Sequence, residues 1–472
     1  MAGDAAAADG AAAVTFVGAV ALLLGVVTLK LQMWLPLPYT ALLLIWGLVL
    51  GICNETFTSG WGVYGEGVTS WRNIPPHFIL SVLLPGILFG ATFAMPKAVL
   101  RRSFPHILLL GVLGVLMGIV LTAVFARYVL PYDWTWHECL LFGSVLSATD
   151  PVAVVAVLKE LRVPDELTVV VDGEALVDDG VAAVMYIVCT GLVQGNGTTA
   201  GAIVRTLCRQ SLAGPAIGLA FGLLLVFGID YWPADGYITE LGLTLAASFG
   251  AFTLAEDVLQ SNGILCVVTC GFVYALLAKR EESAAKALES FWSSLEWCLN
   301  TLLFVLIGVV VAGRTYEGHD VLPGNDNIDL SDYGFAVLLW LALLVVRTID
   351  VALLWPLLAH TGHGFSIKGA LVTIWSGLRG VVGVALALLV FLDPAISNEG
   401  YKLRVLFFMG STVCLTVLVQ GSLITPLLKV LQLVDTTGSF PGAQTPSDES
   451  GRSVTRSTEL TAITLQPKQE LR

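Results

Sequence analysis

The chain has 472 residues, of which 56% are hydrophobic and only 13% charged. A soluble domain carries about one quarter charged residues, so this composition excludes a soluble multidomain enzyme and indicates an integral membrane protein. The formal net charge of −12 argues against nucleic acid as a partner.

Thirteen apolar segments follow one another, at 12–30, 36–53, 76–96, 104–130, 137–158, 168–193, 202–229, 236–255, 262–278, 288–312, 334–359, 367–393 and 404–429. Each is near the roughly 20 residues that a spanning helix requires. They predict an all-α polytopic membrane protein of about 13 transmembrane helices. Residues 1–433 read as one transport domain, and 434–472 as a short polar tail, expected to be cytoplasmic and disordered. The first segment lacks a basic leader and an obvious cleavage site, so it reads as a transmembrane helix. The eight cysteines lie mostly within apolar runs and form no pair of CxxC motifs, which predicts buried small hydrophobes and no zinc. No P-loop is present, so no nucleotide or other cofactor is expected, and the chain does not read as an enzyme.

The loops set an orientation. With the N-terminus outside, the cytoplasmic connections receive Lys97, Arg101 and Arg102, then Lys159 and Arg162, then Lys279, Arg280 and Lys286, as the positive-inside rule requires. Two sequons, at Asn54 and Asn196, then both fall outside as candidate glycosylation sites.

Segment five contains Ser-Ala-Thr-Asp-Pro-Val-Ala-Val from Ser147 to Val154. Pro151 lacks an N–H and pushes Asp150 out of helical geometry, so carbonyls one turn earlier lose their partners. Within a membrane such backbone is tolerated only where it is buried in protein or lines a cavity. Segment six contains Asp-Gly-Glu-Ala-Leu-Val-Asp-Asp-Gly from Asp172 to Gly180. Glu174 and Asp178 are spaced i, i+4 and share a helix face, while Asp179 points about 100° away. Carboxylates this close do not all stay charged without cations or protons. The positive charges at membrane depth are Arg347 in segment eleven and Arg379 in segment twelve, both fixed charges that cannot shuttle protons. Segment twelve is interrupted in turn at Ser376-Gly377-Leu378-Arg379-Gly380. A six-plus-one-plus-six arrangement of inverted repeats makes segments five and twelve counterparts, and paired broken helices point to a transporter's binding site.

The run at Thr149 to Val154 resembles the "TDPVAV" pattern of the sodium/proton exchanger family, and Asp172 to Gly180 resembles its "EGESLxNDG". Leu84-Pro85 through Phe89-Gly90 resembles "LPxxLFE", Ala255-Glu256 with Ser261 to Leu265 resembles "AE…SGIL", and Val419-Gln420-Gly421 to Pro426-Leu427 resembles "VQG…PL". Five patterns in order span nearly the whole membrane domain, nearest to the plant salt-tolerance and prokaryotic exchangers. The resemblance implies inverted repeats with two crossing interrupted helices, and a homodimer in membrane lipid; the plasma membrane is the expected location, with an endomembrane as the alternative. It implies exchange of Na+, with Li+ or K+ as further substrates, for H+. Asp179 is then the central ion and proton ligand, with Asp150 and the Thr149 carbonyl across from it and Asp178 beside it. Glu174 and Arg347 form a supporting pair, while Pro151, Gly377, Arg379 and Gly380 belong to the interrupted helices.

Three positions depart from the patterns. Gly90 replaces the acid of "LFE" and removes one cation ligand, Ala175 replaces the serine of "GES", and Asp178 replaces the asparagine of "ND". An Asp178 held ionised against Arg347 predicts one-for-one, electroneutral exchange; an Asp178 that titrates predicts two protons per cation. The lost oxygens keep two alternatives open, a K+-selective exchanger and a degenerate homologue with a sensing or structural role.

Overall fold

A computed structural model describes residues 2–35, 37–56, 62–195, 199–231, 237–279, 282–320, 328–361 and 364–433. Sixteen helices follow in chain order: α1 (Ala2–Leu31), α2 (Tyr39–Thr56), α3 (Gly62–Arg72), α4 (Pro76–Phe93), α5 (Lys97–Val129), α6 (Trp136–Ser147), α7 (Val152–Glu160) and α8 (Asp165–Val193), then α9 (Ala200–Tyr231), α10 (Tyr237–Val258), α11 (Gly263–Leu277), α12 (Glu282–Asp320), α13 (Leu330–His360), α14 (Ile367–Trp375), α15 (Val381–Leu392) and α16 (Glu399–Val430). Among the described residues, ten of these are long and apolar enough to cross a membrane. The three predicted segments outside those ten are the shorter α11 and the two broken pairs, α6–α7 and α14–α15. The expected tail and Asn196 lie outside the described residues.

Large apolar side chains such as Leu224, Phe227, Val345 and Leu353 lie exposed on the outside of the bundle. Water makes such a surface costly, whereas lipid does not. Inside, helices approach through small residues, as membrane bundles do in the absence of a strong hydrophobic drive. A Cβ built on Gly47 of α2 would lie 2.2 Å from the Val305 carbonyl oxygen of α12, so those two backbones meet only because the residue is glycine.

One element was not foreseen. α3 follows α2 where Gly62-Val-Tyr-Gly-Glu-Gly argues against a helix, because glycine costs about 1 kcal/mol per helical position. Tertiary packing overrides that cost: Trp71 donates its indole N–H to the Val14 carbonyl of α1 at 3.1 Å, and Arg72 pairs with Glu55 at 2.6 Å. Asn54 sits in the last turn of α2, half-buried, its Nδ2 donating to Thr69 Oγ1 at 3.2 Å. That is the nitrogen glycosylation would use, and it is already engaged.

Candidate functional site

α8 runs through the interior, packed against α5, α6 and α11, and the two broken helices cross beside it. At the crossing, Thr149 and Arg379 form an isolated antiparallel β-bridge, in which the Asp150 N–H donates to the Leu378 carbonyl at 2.8 Å. Several backbone groups freed by the break have specific replacements. Pro151 has no N–H for the Ser147 carbonyl one turn earlier, and Arg379 Nη1 donates to that oxygen at 3.2 Å. The Thr149 N–H donates to Asp178 Oδ1 at 3.4 Å, and the Thr149 hydroxyl donates to Asp178 Oδ2. Asp150 Oδ1 accepts the Val152 N–H at 3.1 Å, capping the first turn of α7.

The second break is tied down the same way. The Arg379 N–H donates to Thr416 Oγ1 at 3.1 Å, where α16 widens into a π-turn over Thr416–Gln420. A Cβ on Gly380 would lie 2.0 Å from Asp150 Cβ, so only glycine lets the two breaks touch. Gly377 packs on Arg347, its built Cβ 3.5 Å from the guanidinium Nε. The charges suit the helix ends they meet: Asp150 faces the positive N-terminus of α7, and Arg379 the negative C-terminus of α6.

Three acids of α8 have separate surroundings. Glu174, buried, forms an ion pair with Arg347 of α13. Asp178, also buried, is held by Thr149 rather than by Arg347. The sequence offered Arg347 as counter-charge to both; the guanidinium binds Glu174 because Asp178 is drawn to the unwound donors of the first break. Asp179 is partly exposed and lines a cavity of about 60 Å³, large enough to admit water or a small cation. Thr149, Asp150 and Pro151 line it from the first break, and Gly380 to Gly383 from the second. Among the described residues no three His, Cys, Asp or Glu side chains converge enough to hold a metal ion. A cation held here therefore takes hydroxyl, amide or backbone oxygens beside one or two carboxylates.

The cavity also takes in Asp172, the first residue of the second motif, and Glu296 and Asn300, which no motif contains. Asp172 is seven residues before Asp179 and therefore on the same helix stripe, a signal present in the sequence. Glu296 and Asn300 share a face of α12 at i, i+4, and no local pattern joins α12 to α8. Asp350 of α13 is likewise buried one turn from Arg347, and its Oδ1 has no hydrogen-bond partner among the described residues.

The family model for the transmembrane sodium/hydrogen exchanger matches residues 18–430. Sodium/hydrogen exchanger 7 of Arabidopsis thaliana is 35% identical over 89% of this chain and 36% of its own length. Sodium/hydrogen exchanger 8 of the same plant is 34% identical over 84% of this chain and 52% of its own. The Na+/H+ antiporter ApNhaP of Aphanothece halophytica is 29% identical over 87% of this chain and 73% of its own. The chain thus spans about a third to a half of the length of the two plant relatives. The sodium proton antiporter MjNhaP1 of Methanocaldococcus jannaschii has the same fold, with a TM-score of 0.69 at 20% identity, covering 90% of this chain and 99% of that one.

Proposed function

The chain belongs to the sodium/hydrogen exchanger family, and from that premise we propose that it exchanges Na+ for H+ across a membrane by alternating access, with Li+ and K+ as further candidate cations. One observation carries the reading: Asp179 places a carboxylate in a small cavity at the crossing of two broken helices. An uncompensated carboxylate at membrane depth costs several kcal/mol. A cation compensates it, or a proton does, and binding of one disfavours the other. A site that opens alternately to the two sides then returns a proton for each cation it releases, with an ion gradient as the only energy source.

In this reading Asp179 is the exchanging group, Asp150 and Thr149 add oxygens from the first break, and Asp178 orients Thr149. Glu174 with Arg347, and Arg379 with the two breaks, hold the frame in which Pro151 opens the first break, Gly377 packs on Arg347 and Gly380 lets the two breaks touch. The basic loops support an N-terminus outside and a cytoplasmic tail, the family resemblance supports a homodimer, and the membrane is the plasma membrane or, as the alternative, an endomembrane. The retained crossing and its acids favour a working exchanger over a degenerate homologue.

The experiment is cation-driven proton movement in proteoliposomes with the membrane potential clamped, wild type beside Asp179→Asn. The expected outcome is Na+-dependent flux in the wild type that vanishes in the variant. A tightly inserted wild type with no flux for Na+, Li+ or K+ would instead support the sensing role.

A further inference from the structure

We propose that Glu296 and Asn300 of α12 are monovalent-cation ligands on the α12 side of this cavity, where, among the described residues, Glu296 is the one carboxylate beside Asp179, and that they supply the oxygens that position 90 of α4 lacks. The proposal rests on the antiport reading for its transport consequence, and on the cavity for its geometry. Both residues line the cavity with Asp150 and Asp179, one helical turn apart on the same face. Glu296 is within electrostatic range of Asp150, Asp172 and Lys159, so it belongs to the same charged environment.

Asn300 is the independent observation. It is 6% exposed, it forms part of the cavity wall, and among the described residues no protein group hydrogen-bonds its amide. Its amide atoms are not among the buried polar atoms left without a partner, so they open on the cavity, where a water or an ion can satisfy them. An amide carbonyl facing a cavity beside carboxylates is a hard, neutral oxygen, the ligand type that suits hard cations.

The place of Gly90 explains why α12 is used. A Cβ built there would lie 3.9 Å from Glu296 Cβ and 3.5 Å from Trp292 Cε3. Side chains at 90 and 296 therefore start from adjoining points on facing helices. The acid absent from α4 has its equivalent across the gap, on α12. Those contacts are ordinary van der Waals distances, so a side chain at 90 is accommodated, and the exchange of positions can be reversed.

The experiment measures half-saturating Na+ and maximal proton flux for the full chain in proteoliposomes, for wild type, Glu296→Gln, Asn300→Ala and the double variant Glu296→Gln/Gly90→Glu. Loss of one ion-coordinating oxygen is expected to raise half-saturating Na+ about tenfold in either single variant, with maximal flux retained. The double variant is expected to regain most of the lost affinity, which a merely structural role for Glu296 would not produce. An unchanged half-saturating concentration in Glu296→Gln, beside an active wild type, overturns the proposal. A Na+-dependent rise in melting temperature in detergent gives a second readout that needs no transport. A wild type inactive with every alkali cation removes the antiport reading alone, and the binding proposal is then decided by whether that rise needs more Na+ in Glu296→Gln.

Discussion

Glu174, Asp178 and Asp179 lie within six residues of one helix, yet each answers to a different neighbour. Glu174 is locked to Arg347, Asp178 to Thr149, and Asp179 to the cavity. Stability and transport should therefore separate by residue. Removing one member of a buried ion pair leaves the other charge uncompensated and costs about 3–5 kcal/mol. Glu174→Ala is thus expected to lower the melting midpoint in detergent markedly, while Asp179→Asn leaves it unchanged or raises it and abolishes flux. Equal melting for wild type and Glu174→Ala would mean that Arg347 finds another partner, with Asp178 and Asp350 the candidates. The i, i+4 spacing made the shared face of Glu174 and Asp178 legible in the sequence. The choice of partner was not, because it depends on how close the unwound Thr149 comes to α8.

At the scale of elements, the two breaks complete each other. Pro151 predicts a freed carbonyl at Ser147, but the donor that fills it is Arg379, 232 residues away, beyond the reach of any local pattern. The need for Gly380 is equally invisible in its own segment, since it comes from Asp150 on the other broken helix. Asp150 carries two duties here, capping α7 through Oδ1 and presenting charge to the cavity. Asn retains an oxygen for the Val152 N–H and loses only the charge, so Asp150→Asn separates them. The expected result is unchanged folding, read as melting, with half-saturating Na+ raised about tenfold or more, the scale of a lost charge-assisted contact. Wild-type affinity in Asp150→Asn would reduce the residue to a cap.

Across the whole molecule, the cavity is assembled from α4, the two breaks, α8 and α12, and the part drawn from α12 is the part the motifs missed. Its membership decides how many charges move per cycle. Asp178, the acid that stands where the resembled pattern has asparagine, does not line the cavity; both its oxygens face Thr149. Thr149 engages both oxygens and keeps them off the cavity, so Asp178 is expected to hold one form throughout the cycle. On the proposed function, the extra acid of this chain then adds no exchanging proton, and one proton per cation, with no net charge moved, is the expected coupling. The expected outcome is Na+-driven proton flux in proteoliposomes that an imposed potential of either sign neither speeds nor slows, in wild type and in Asp178→Asn alike. A flux that follows the potential in wild type and loses that dependence in Asp178→Asn would place a second proton on Asp178 and require Thr149 to release it during the cycle.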